Sequence, residues 1–299
     1  MKMKRINFQS IKGAAIIVLL LISNCPFAQN SPGKTHAEKI KIDGIERSYF
    51  IHLPDNLPAK APLVFVLHGY GGTASPDSYG MKEVSDKNGF AVCFPQAEKD
   101  LRGKASWNVN YGFQAGRKLD DVSFLTKLSK HLQKKYNLSS KNVFCTGMSA
   151  GGDMGYLLAY RKPEAFAAIS SVAGFTMEWI YNTLEAPAPV PFFEIHGTKD
   201  CTTYWDGDLE DKGGWGSYIS IPLAVGYWVA KNRCTGLVVD TLAVKNRENG
   251  HYVVSHKYIN GIHGNEVWLY EIVNGEHTWG DEDLNTSEEI WKFFSKFIK

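Results

Sequence analysis

The sequence predicts an α/β fold: a single domain in which a mostly parallel central sheet carries helices on both faces. Continuous apolar runs at 62–67, 90–95, 142–146 and 190–195 are typical of strands that are buried on both faces. Segments with helical spacing of apolar residues separate these runs, and this alternation is the pattern of a parallel sheet. The 299 residues contain no low-complexity linker or internal repeat, so the chain is expected to form one core.

Turn and cap signals predict further elements. The dipeptide Asp43-Gly44 separates the segments 36–42 and 46–53, which predicts a β-hairpin. Asp120 or Asp121 can cap a helix whose apolar residues recur at helical spacing: Val122, Phe124, Leu125, Leu128, Leu132 and Tyr136. Capping, in place of a metal site, is the interpretation adopted for this aspartate pair.

The most informative segment is 147–151, with the sequence Gly-Met-Ser-Ala-Gly. It directly follows the apolar run 142–146 and precedes a helix-compatible stretch at 153–160. A serine at such a junction can occupy a strained turn that lifts its hydroxyl clear of the backbone. Side chains at the two flanking positions would collide with the neighbouring strand and helix, so glycine has a steric reason there. Ser149 is therefore predicted to be a nucleophile.

An acid and a base follow the nucleophile in the chain. Asp200 comes just after the run 190–195, at the same edge of a parallel sheet as Ser149. His277 lies in a loop after a strand predicted at 266–273. A serine hydroxyl needs a histidine to take its proton, and that histidine needs a carboxylate to orient it and stabilise its cation. The order Ser, Asp, His is that of α/β-hydrolases, and it predicts Ser149, Asp200 and His277 as a catalytic triad.

A candidate oxyanion hole follows the run 62–67. The sequence His-Gly-Tyr-Gly-Gly at 68–72 can bring backbone N–H groups close to the oxygen that becomes charged during ester cleavage. The second donor would be the N–H after the nucleophile. Tyr70 and Ala150 are therefore the predicted donors, with a simple tight turn as the alternative. His68 is expected to be a buried, hydrogen-bonded histidine and not a catalyst.

Several stretches together resemble one known family: 67–72, 119–125, 146–154, 166–169 with Ala173-Gly174, 196–200 and 277–279. From about residue 45 onward the chain is similar to the secreted polyhydroxybutyrate depolymerase-like esterases, which include feruloyl and acetylxylan esterases of the first carbohydrate esterase family. This resemblance implies an α/β-hydrolase fold and the same triad. The base loop departs from the family pattern Gly-Gly-Gly-His-Thr-Trp-Pro-Gly at Asn274, at Glu276 and in lacking the proline, which affects loop shape and substrate fit.

The expected function is that of a secreted serine carboxylesterase that forms an acyl-enzyme and removes feruloyl or acetyl groups from plant polysaccharides or their oligomers. A polyester depolymerase, a serine peptidase and a non-catalytic binding protein on the same scaffold are the alternatives. Trp107 and Trp205 are the predicted substrate contacts, because both adjoin polar loop sequence that contains glycine. Asp206 and Asp208 compete with Asp200 for the role of the acid.

Residues 1–28 are expected to be a secretory signal peptide, followed by the hydrolase domain over 29–299. A basic head precedes the short apolar run 14–22 and the small residue Ala28. The run is too short to span a bilayer, and acylation of Cys25 as a lipoprotein is the alternative. Removal of the four basic residues in this segment leaves 29 basic and 31 acidic side chains, a balance that does not favour nucleic acid. The expected location is periplasmic or extracellular.

The sequence contains no His-Glu-x-x-His or paired Cys-x-x-Cys motif, so no metal or other cofactor is indicated. Cys93 and Cys145 lie in predicted strands that Leu63–Leu67 is expected to separate, which predicts two buried thiols. Cys201 and Cys234 remain, and by elimination they are predicted to form a disulfide in an oxidising compartment.

Overall fold

The computed structural model describes residues 34–246 and 248–299. The expected signal peptide and Cys25 lie outside these residues. The described strands are β1 (Lys34–Ile42), β2 (Ile45–Leu53), β3 (Leu63–Leu67), β4 (Ala91–Pro95), β5 (Val143–Gly147), β6 (Ala168–Val172), β7 (Phe192–Gly197), β8 (Gly236–Leu242), β9 (Tyr252–Ile259) and β10 (Val267–Val273). The α-helices are α1 (Met81–Asn88), α2 (Asp121–Lys135), α3 (Ala150–Arg161), α4 (Glu178–Thr183), α5 (Ile221–Lys231) and α6 (Thr286–Ser295).

All ten strands belong to one sheet, in the order β1-β2-β4-β3-β5-β6-β7-β10-β9-β8. The six central strands, from β4 to β10, are mutually parallel. At the two edges, β1 and β2 on one side and β9 and β8 on the other pair antiparallel. This is the α/β-hydrolase fold in a single domain, and the predicted fold class is confirmed.

Side chains of the parallel strands alternate between two cores, one on each face of the sheet. In β3, Phe65 packs into one core and its neighbours Val64 and Val66 pack into the other. Helices α2, α3 and α5 cover the first core, whereas α1 and α6 cover the second. A strand that helices cover on both faces of the sheet has no side exposed to water. These strands are therefore continuous apolar runs in the sequence. Among the described residues, no helix has both the length and the apolar character needed to cross a membrane.

The first hairpin forms where the sequence predicts it. Ile42 and Ile45 pair at its end. Asp43 and Gly44 between them both have positive φ values, 51° and 83°, as a type I′ turn requires. Aspartate and glycine tolerate this left-handed conformation better than other residues, so the local sequence fixes the strand register.

The aspartate pair at the start of α2 has structural roles. Asp120 is the N-cap, and its Oδ1 accepts the Ser123 N–H at 2.8 Å, as predicted. Asp121 is buried and accepts a 2.8 Å hydrogen bond from Nη2 of Arg47, which is also buried. This paired charge joins β2 to α2 inside the protein.

The predicted disulfide between Cys201 and Cys234 is wrong, because the two cysteines lie at opposite ends of the parallel strands. Cys201 follows the carboxyl end of β7, whereas the Cys234 thiol lies beside the backbone of Val267 at the amino end of the parallel strand β10. A six-residue strand spans roughly 20 Å, and a disulfide needs a Cα separation below about 7 Å. All four cysteines of the described residues are free.

The other cysteine prediction is confirmed. Cys93 and Cys145 are fully buried, and Phe65 of β3 pairs with both of them from its central position. Burial raises the pKa of each thiol. The two sulfurs are thus separated by a strand and held in their protonated, unreactive form.

Candidate active site

Ser149 occupies the turn between β5 and α3. Its φ of 55° and ψ of −123° form a strained conformation for a residue with a side chain. A Cβ at Gly147 would lie 2.6 Å from the carbonyl carbon of Gly151, and a Cβ at Gly151 would lie 2.3 Å from the carbonyl oxygen of Leu67. Strands β3 and β5 and helix α3 therefore approach too closely for side chains at either position, as the sequence predicts.

Backbone hydrogen bonds hold this turn at the carboxyl edge of the sheet. The Ser149 N–H donates to the carbonyl of Val172 at 2.8 Å, and the Met148 N–H donates to the carbonyl of Leu67 at 3.1 Å. Helix α3 begins at the next residue, Ala150, so the positive end of its dipole adjoins the serine. The Ser149 side chain is partly exposed, as a nucleophile must be.

Asp200 and His277 are in direct contact. His277 Nδ1 lies 2.7 Å from Asp200 Oδ2, and the carboxylate also accepts the N–H groups of Thr202 and Thr203 at 2.8 Å. Burial raises the pKa of Asp200, but the hydrogen bond and charge of His277 and the backbone of Thr203 outweigh burial and hold that pKa below its ordinary value. A charged acceptor at Nδ1 keeps the proton of neutral His277 on that nitrogen, which leaves Nε2 free to accept another.

Close backbone contacts join the loop that carries Asp200 to the loop that carries His277. A Cβ at Gly197 would lie 2.3 Å from the carbonyl oxygen of Gly275, so glycine is needed where β7 ends. The Lys199 N–H donates to the same carbonyl at 2.9 Å, and the Asn274 N–H donates to Thr198 Oγ1 at 2.9 Å. Asn274, which departs from the family pattern, has a φ of 65°. Asparagine tolerates that conformation, so the departure preserves the turn before His277.

Residues after β6 connect the turn at Ser149 to the loops that carry Asp200 and His277. The Ser149 N–H bonds to Val172, and the carbonyl of the next residue, Ala173, accepts the Thr203 hydroxyl at 3.0 Å. Thr203 Oγ1 lies 3.2 Å from His277 Nδ1. The three residues predicted as a triad thus lie on loops after β5, β7 and β10 at one edge of the sheet, with two of them hydrogen-bonded.

The loop at 68–72 lies against the serine. A Cβ built on Gly69 would be 3.5 Å from Ser149 Cβ. Within residues 34–246 and 248–299, neither the Tyr70 N–H nor the Ala150 N–H donates a hydrogen bond. Two free amide donors beside a serine hydroxyl can stabilise a developing oxyanion, so both predicted donors remain candidates for this role.

His68 holds the same loop as a neutral ring. The Ala97 N–H donates to His68 Nε2 at 3.1 Å, which places the ring proton on Nδ1, 2.7 Å from the carbonyl of Gly69. Burial lowers the pKa of His68 and so favours this neutral form. The prediction of a buried, hydrogen-bonded histidine is confirmed.

Trp107 is not a substrate contact in this structure. Its side chain is 0% exposed, and its Nε1–H donates to the carbonyl of His68 at 2.9 Å, so the ring supports the loop at 68–72 from inside. The polar neighbours that suggested exposure belong to a loop that folds around the ring. Trp205 is partly exposed, with its ring centroid 6.1 Å from that of His196. It remains a candidate contact.

The two competing acids have other surroundings. Asp206 is exposed. Asp208 is buried, and its Oδ2 accepts the Gly213 N–H at 2.8 Å inside its own loop. His277 instead contacts Asp200, which remains the candidate acid.

Comparison with known proteins shows a resemblance to one esterase family. The Esterase PHB depolymerase family model matches residues 47–187, slightly less than half of the chain, and this range includes the loop at 68–72 and Ser149. Asp200 and His277 lie beyond the matched range, so their assignment rests on their geometry and their place in the chain.

Curated relatives of the chain are named for several different activities. The chain is 26% identical over 56% of its length to a bifunctional acetylxylan esterase/xylanase from Neocallimastix patriciarum, 25% over 56% to a poly(3-hydroxyalkanoate) depolymerase from Paucimonas lemoignei, and 27% over 57% to feruloyl esterase B from Talaromyces funiculosus. These matches span 23%, 39% and 46% of the three relatives, so each relative is longer than the part that the chain resembles.

Solved structures agree on the fold. An acetyl xylan esterase from Aspergillus awamori superposes with a TM-score of 0.62 at 16% identity, over 88% of this chain and 99% of that one. An S-formylglutathione hydrolase from Agrobacterium tumefaciens gives a TM-score of 0.57 at 12% identity, over 88% and 95%. At these identities the likeness establishes the α/β-hydrolase fold alone.

A buried polar pair, Glu194 and His196, lies behind Asp200 and was not predicted from the sequence. His196 Nδ1 lies 3.1 Å from Glu194 Oε1, and Nε2 lies 2.8 Å from the carbonyl of Thr203 and 3.5 Å from Asp200 Oδ2. Burial lowers the pKa of His196, but the Glu194 carboxylate outweighs it and raises that pKa. Two polar residues at alternate positions of an otherwise apolar strand were the available sequence signal.

Asp153, in the first turn of α3, was also missed. It is buried, accepts the Tyr111 hydroxyl at Oδ2, and accepts the Phe175 N–H at Oδ1 over 2.7 Å. Burial raises the pKa of Asp153 well above its ordinary value. Burial thus favours the protonated form of Asp153, whose two hydrogen bonds brace the helix behind Ser149.

Proposed function

We propose that this protein is a serine carboxylic ester hydrolase, with Ser149 as nucleophile, His277 as general base and Asp200 as the residue that orients His277 and stabilises its cation. One observation carries the proposal: a buried Asp200 carboxylate lies 2.7 Å from His277 Nδ1 at the sheet edge where Ser149 occupies its strained turn. This combination supplies an exposed hydroxyl, a base with a fixed tautomer and a stabilising charge.

The reaction would proceed through an acyl-enzyme. Ser149 Oγ attacks the ester carbonyl carbon while His277 Nε2 takes the hydroxyl proton, and the carbonyl oxygen becomes negatively charged. The N–H groups of Tyr70 and Ala150 stabilise that charge. The C–O bond to the alcohol then breaks, and His277 returns its proton to the departing alkoxide. Water, deprotonated by His277, then attacks the acyl carbon, the bond from that carbon to Ser149 Oγ breaks, and His277 returns the proton to Ser149 Oγ as the carboxylic acid leaves.

The proposed substrates are feruloyl or acetyl esters of plant polysaccharides or their oligomers. The names of two relatives, an acetylxylan esterase/xylanase and a feruloyl esterase, favour this class. The poly(3-hydroxyalkanoate) depolymerase relative favours a second candidate, hydrolysis of an aliphatic polyester. Both kinds of polymer are too large to enter a cell, which agrees with export through the segment 1–28.

Ser149→Ala tests the proposal. The wild-type protein should react with a fluorophosphonate at Ser149 and hydrolyse 4-nitrophenyl acetate, whereas the variant should resist labelling and lose turnover by up to roughly a million-fold. Ser140→Ala is the matched control, since Ser140 is exposed near the amino end of β5, at the opposite edge of the sheet. It should retain both properties.

A different result would contradict each part of the proposal. Unchanged labelling and turnover in Ser149→Ala would mean that Ser149 is not the nucleophile. Substrate class is measured separately, as kcat/KM of the wild-type protein for acetylated xylan oligomers, methyl ferulate and a hydroxybutyrate oligomer. Activity confined to the hydroxybutyrate oligomer would replace the polysaccharide substrates with a polyester.

A further inference from the structure

A chain of buried polar side chains extends behind the contact between Asp200 and His277. Asp200 Oδ2 lies 2.7 Å from His277 Nδ1 on one side and 3.5 Å from His196 Nε2 on the other. Farther from the site, His196 Nδ1 lies 3.1 Å from Glu194 Oε1. We infer that Glu194 and His196 form a positioning pair, in which Glu194 keeps the His196 ring protonated and positively charged. The charged ring stabilises the Asp200 carboxylate and controls how readily His277 takes a proton. This inference rests on the proposed function, because it assigns a role within the same site.

Both ring nitrogens of His196 face acceptor groups. Nε2 lies 2.8 Å from the carbonyl oxygen of Thr203, which can only accept, so this nitrogen carries a proton. Nδ1 lies 3.1 Å from the Glu194 carboxyl group, and two lone pairs at that distance would repel each other, so a proton lies between them. The pair therefore has two arrangements: an imidazolium beside a carboxylate, or a neutral ring beside a carboxylic acid.

The neighbouring Asp200 favours the charged arrangement. The side chains of Glu194, His196 and Asp200 are all 0% exposed, so their charges interact with little screening by water. Asp200 is held as a carboxylate by the N–H groups of Thr202 and Thr203, and it attracts a positive His196 ring more than a neutral one. Burial lowers the pKa of His196, but Glu194 and then Asp200 outweigh burial and raise that pKa.

Other titratable groups near this chain of side chains cannot supply the same charge. Asp153 and Tyr156 face the pair from α3, and burial raises the pKa of both well above their ordinary values, which favours their uncharged forms. Glu271 on β10 is partly exposed, and Glu276 beside the base is exposed. All four groups are acids, so none of them can place a positive charge next to Asp200.

The ion pair presents its positive end to Asp200 and His277. Its negative end, on Glu194, lies farther away, so the two charges do not cancel. In Coulomb's law with an effective dielectric constant of about 20, a positive charge about 6 Å away with its counter-charge about 9 Å away opposes protonation by roughly half a pH unit. The pair thus keeps His277 available as a base at lower pH while Asp200 stays charged.

The test measures the rate of fluorophosphonate labelling of Ser149 as a function of pH. Labelling requires unprotonated His277, so its rate falls on the acid side. Glu194→Gln removes the carboxylate that keeps His196 charged, whereas His196→Gln retains an N–H for the Thr203 carbonyl but carries no charge. In both variants the midpoint of the acid side should move up by roughly half a pH unit.

The sign of the change separates the alternatives. A Glu194 carboxylate without a positive partner would favour protonated His277, so a lower midpoint in Glu194→Gln would overturn the inference. A slower rate at every pH with an unchanged midpoint would also overturn it, because that is the result expected of a merely structural pair.

Glu271→Gln is the matched control. Glu271 is the register partner of His196 on β10, and its Oε2 lies 3.2 Å from His256 Nε2. Its replacement removes a carboxylate from the same level of the sheet without touching the pair, so it should not raise the midpoint.

NMR of protein labelled with ¹⁵N at histidine measures the charge of His196 directly. The His196 ring should give imidazolium signals throughout the pH range in which His277 titrates, and these signals should disappear in His196→Gln. A wild-type protein without any buried imidazolium would overturn the inference even if neither variant folds. Failure of the proposed function is distinct, because the wild-type protein would then resist the fluorophosphonate or react with it independently of Ser149.

Discussion

At the scale of the residue, the pKa values of two buried carboxyl groups near Ser149 are shifted in opposite directions because their partners differ. Asp200 accepts N–H groups from its own loop and faces His277, which together outweigh burial and lower its pKa. Asp153 has a tyrosine hydroxyl and one backbone N–H as partners, and burial dominates and raises its pKa. Burial alone therefore does not decide the direction in which the pKa of an aspartate shifts.

Asp200→Asn should reduce kcat by roughly a thousand- to ten-thousand-fold with little loss of stability. The amide carries no charge, and its NH₂ group can force the wrong tautomer on His277. Asp206→Asn is the control, because Asp206 is exposed on the same loop and its change should have little effect. Steady-state hydrolysis of 4-nitrophenyl acetate measures both variants. A larger loss in Asp206→Asn would move the acid to that residue.

Asp153→Asn should become more stable relative to the wild-type protein as the pH rises. In the unfolded chain an aspartate loses its proton near pH 4, whereas folded Asp153 keeps its proton to a much higher pH. Between those two values the unfolded state binds fewer protons, so wild-type stability falls by up to about 1.4 kcal/mol per pH unit. Asparagine has no such proton to lose. Urea unfolding at pH 5 and pH 8 measures the difference, and a difference independent of pH would contradict a neutral Asp153.

At the scale of the element, the sequence predicts best what local chemistry controls. Strand β3 is apolar because both faces are covered, and the hairpin turn at Asp43 follows from two left-handed residues. Strand β8 was not predicted, because none of its seven residues is buried and the sequence therefore lacks an alternating pattern. Trp107 was wrongly predicted to contact the substrate. Its polar neighbours indicate a loop, but they do not indicate which side chain that loop encloses.

Two glycine substitutions distinguish the end of β7, which positions the His277 loop, from helix α5, which does not. A Cβ at Gly197 would meet the carbonyl oxygen of Gly275 at 2.3 Å, so Gly197→Ala should displace the His277 loop and lower kcat by about a hundredfold. Gly226 is exposed within α5 with open space around its Cβ position. Gly226→Ala should raise the free energy of unfolding by about 0.5–1 kcal/mol and keep full activity.

Kinetics and thermal unfolding measured on the same two preparations check these predictions. Full activity in Gly197→Ala would mean that the loops carrying Asp200 and His277 can move apart without loss of catalysis. A destabilised Gly226→Ala would contradict an unstrained helix interior at that position.

At the scale of the whole molecule, the direction of the parallel strands decides which distant residues can meet. Tyr70, Ser149, Asp200 and His277 all follow carboxyl ends of parallel strands, so residues more than 200 positions apart share one edge. The same rule separates Cys201 from Cys234, which adjoins the start of β10. The convergence of the first group could be predicted from the sequence. The cysteine pairing was predicted wrongly because the β8–β9 hairpin, which is inserted before β10, was not predicted.

The cysteines should therefore react independently with an alkylating agent. Cys201 is exposed and should be modified first in the folded protein, ahead of the partly exposed Cys234, whose pKa burial raises. Cys93 and Cys145 should react only after denaturation, because both are buried and have raised pKa values. Peptide mass spectrometry of iodoacetamide-treated protein, native and in urea without reductant, measures this order, and Cys201→Ser should remove the fastest step. A peptide linking Cys201 to Cys234 would require the two ends of β7 and β10 to lie far closer than one strand length, and it would contradict the strand register itself.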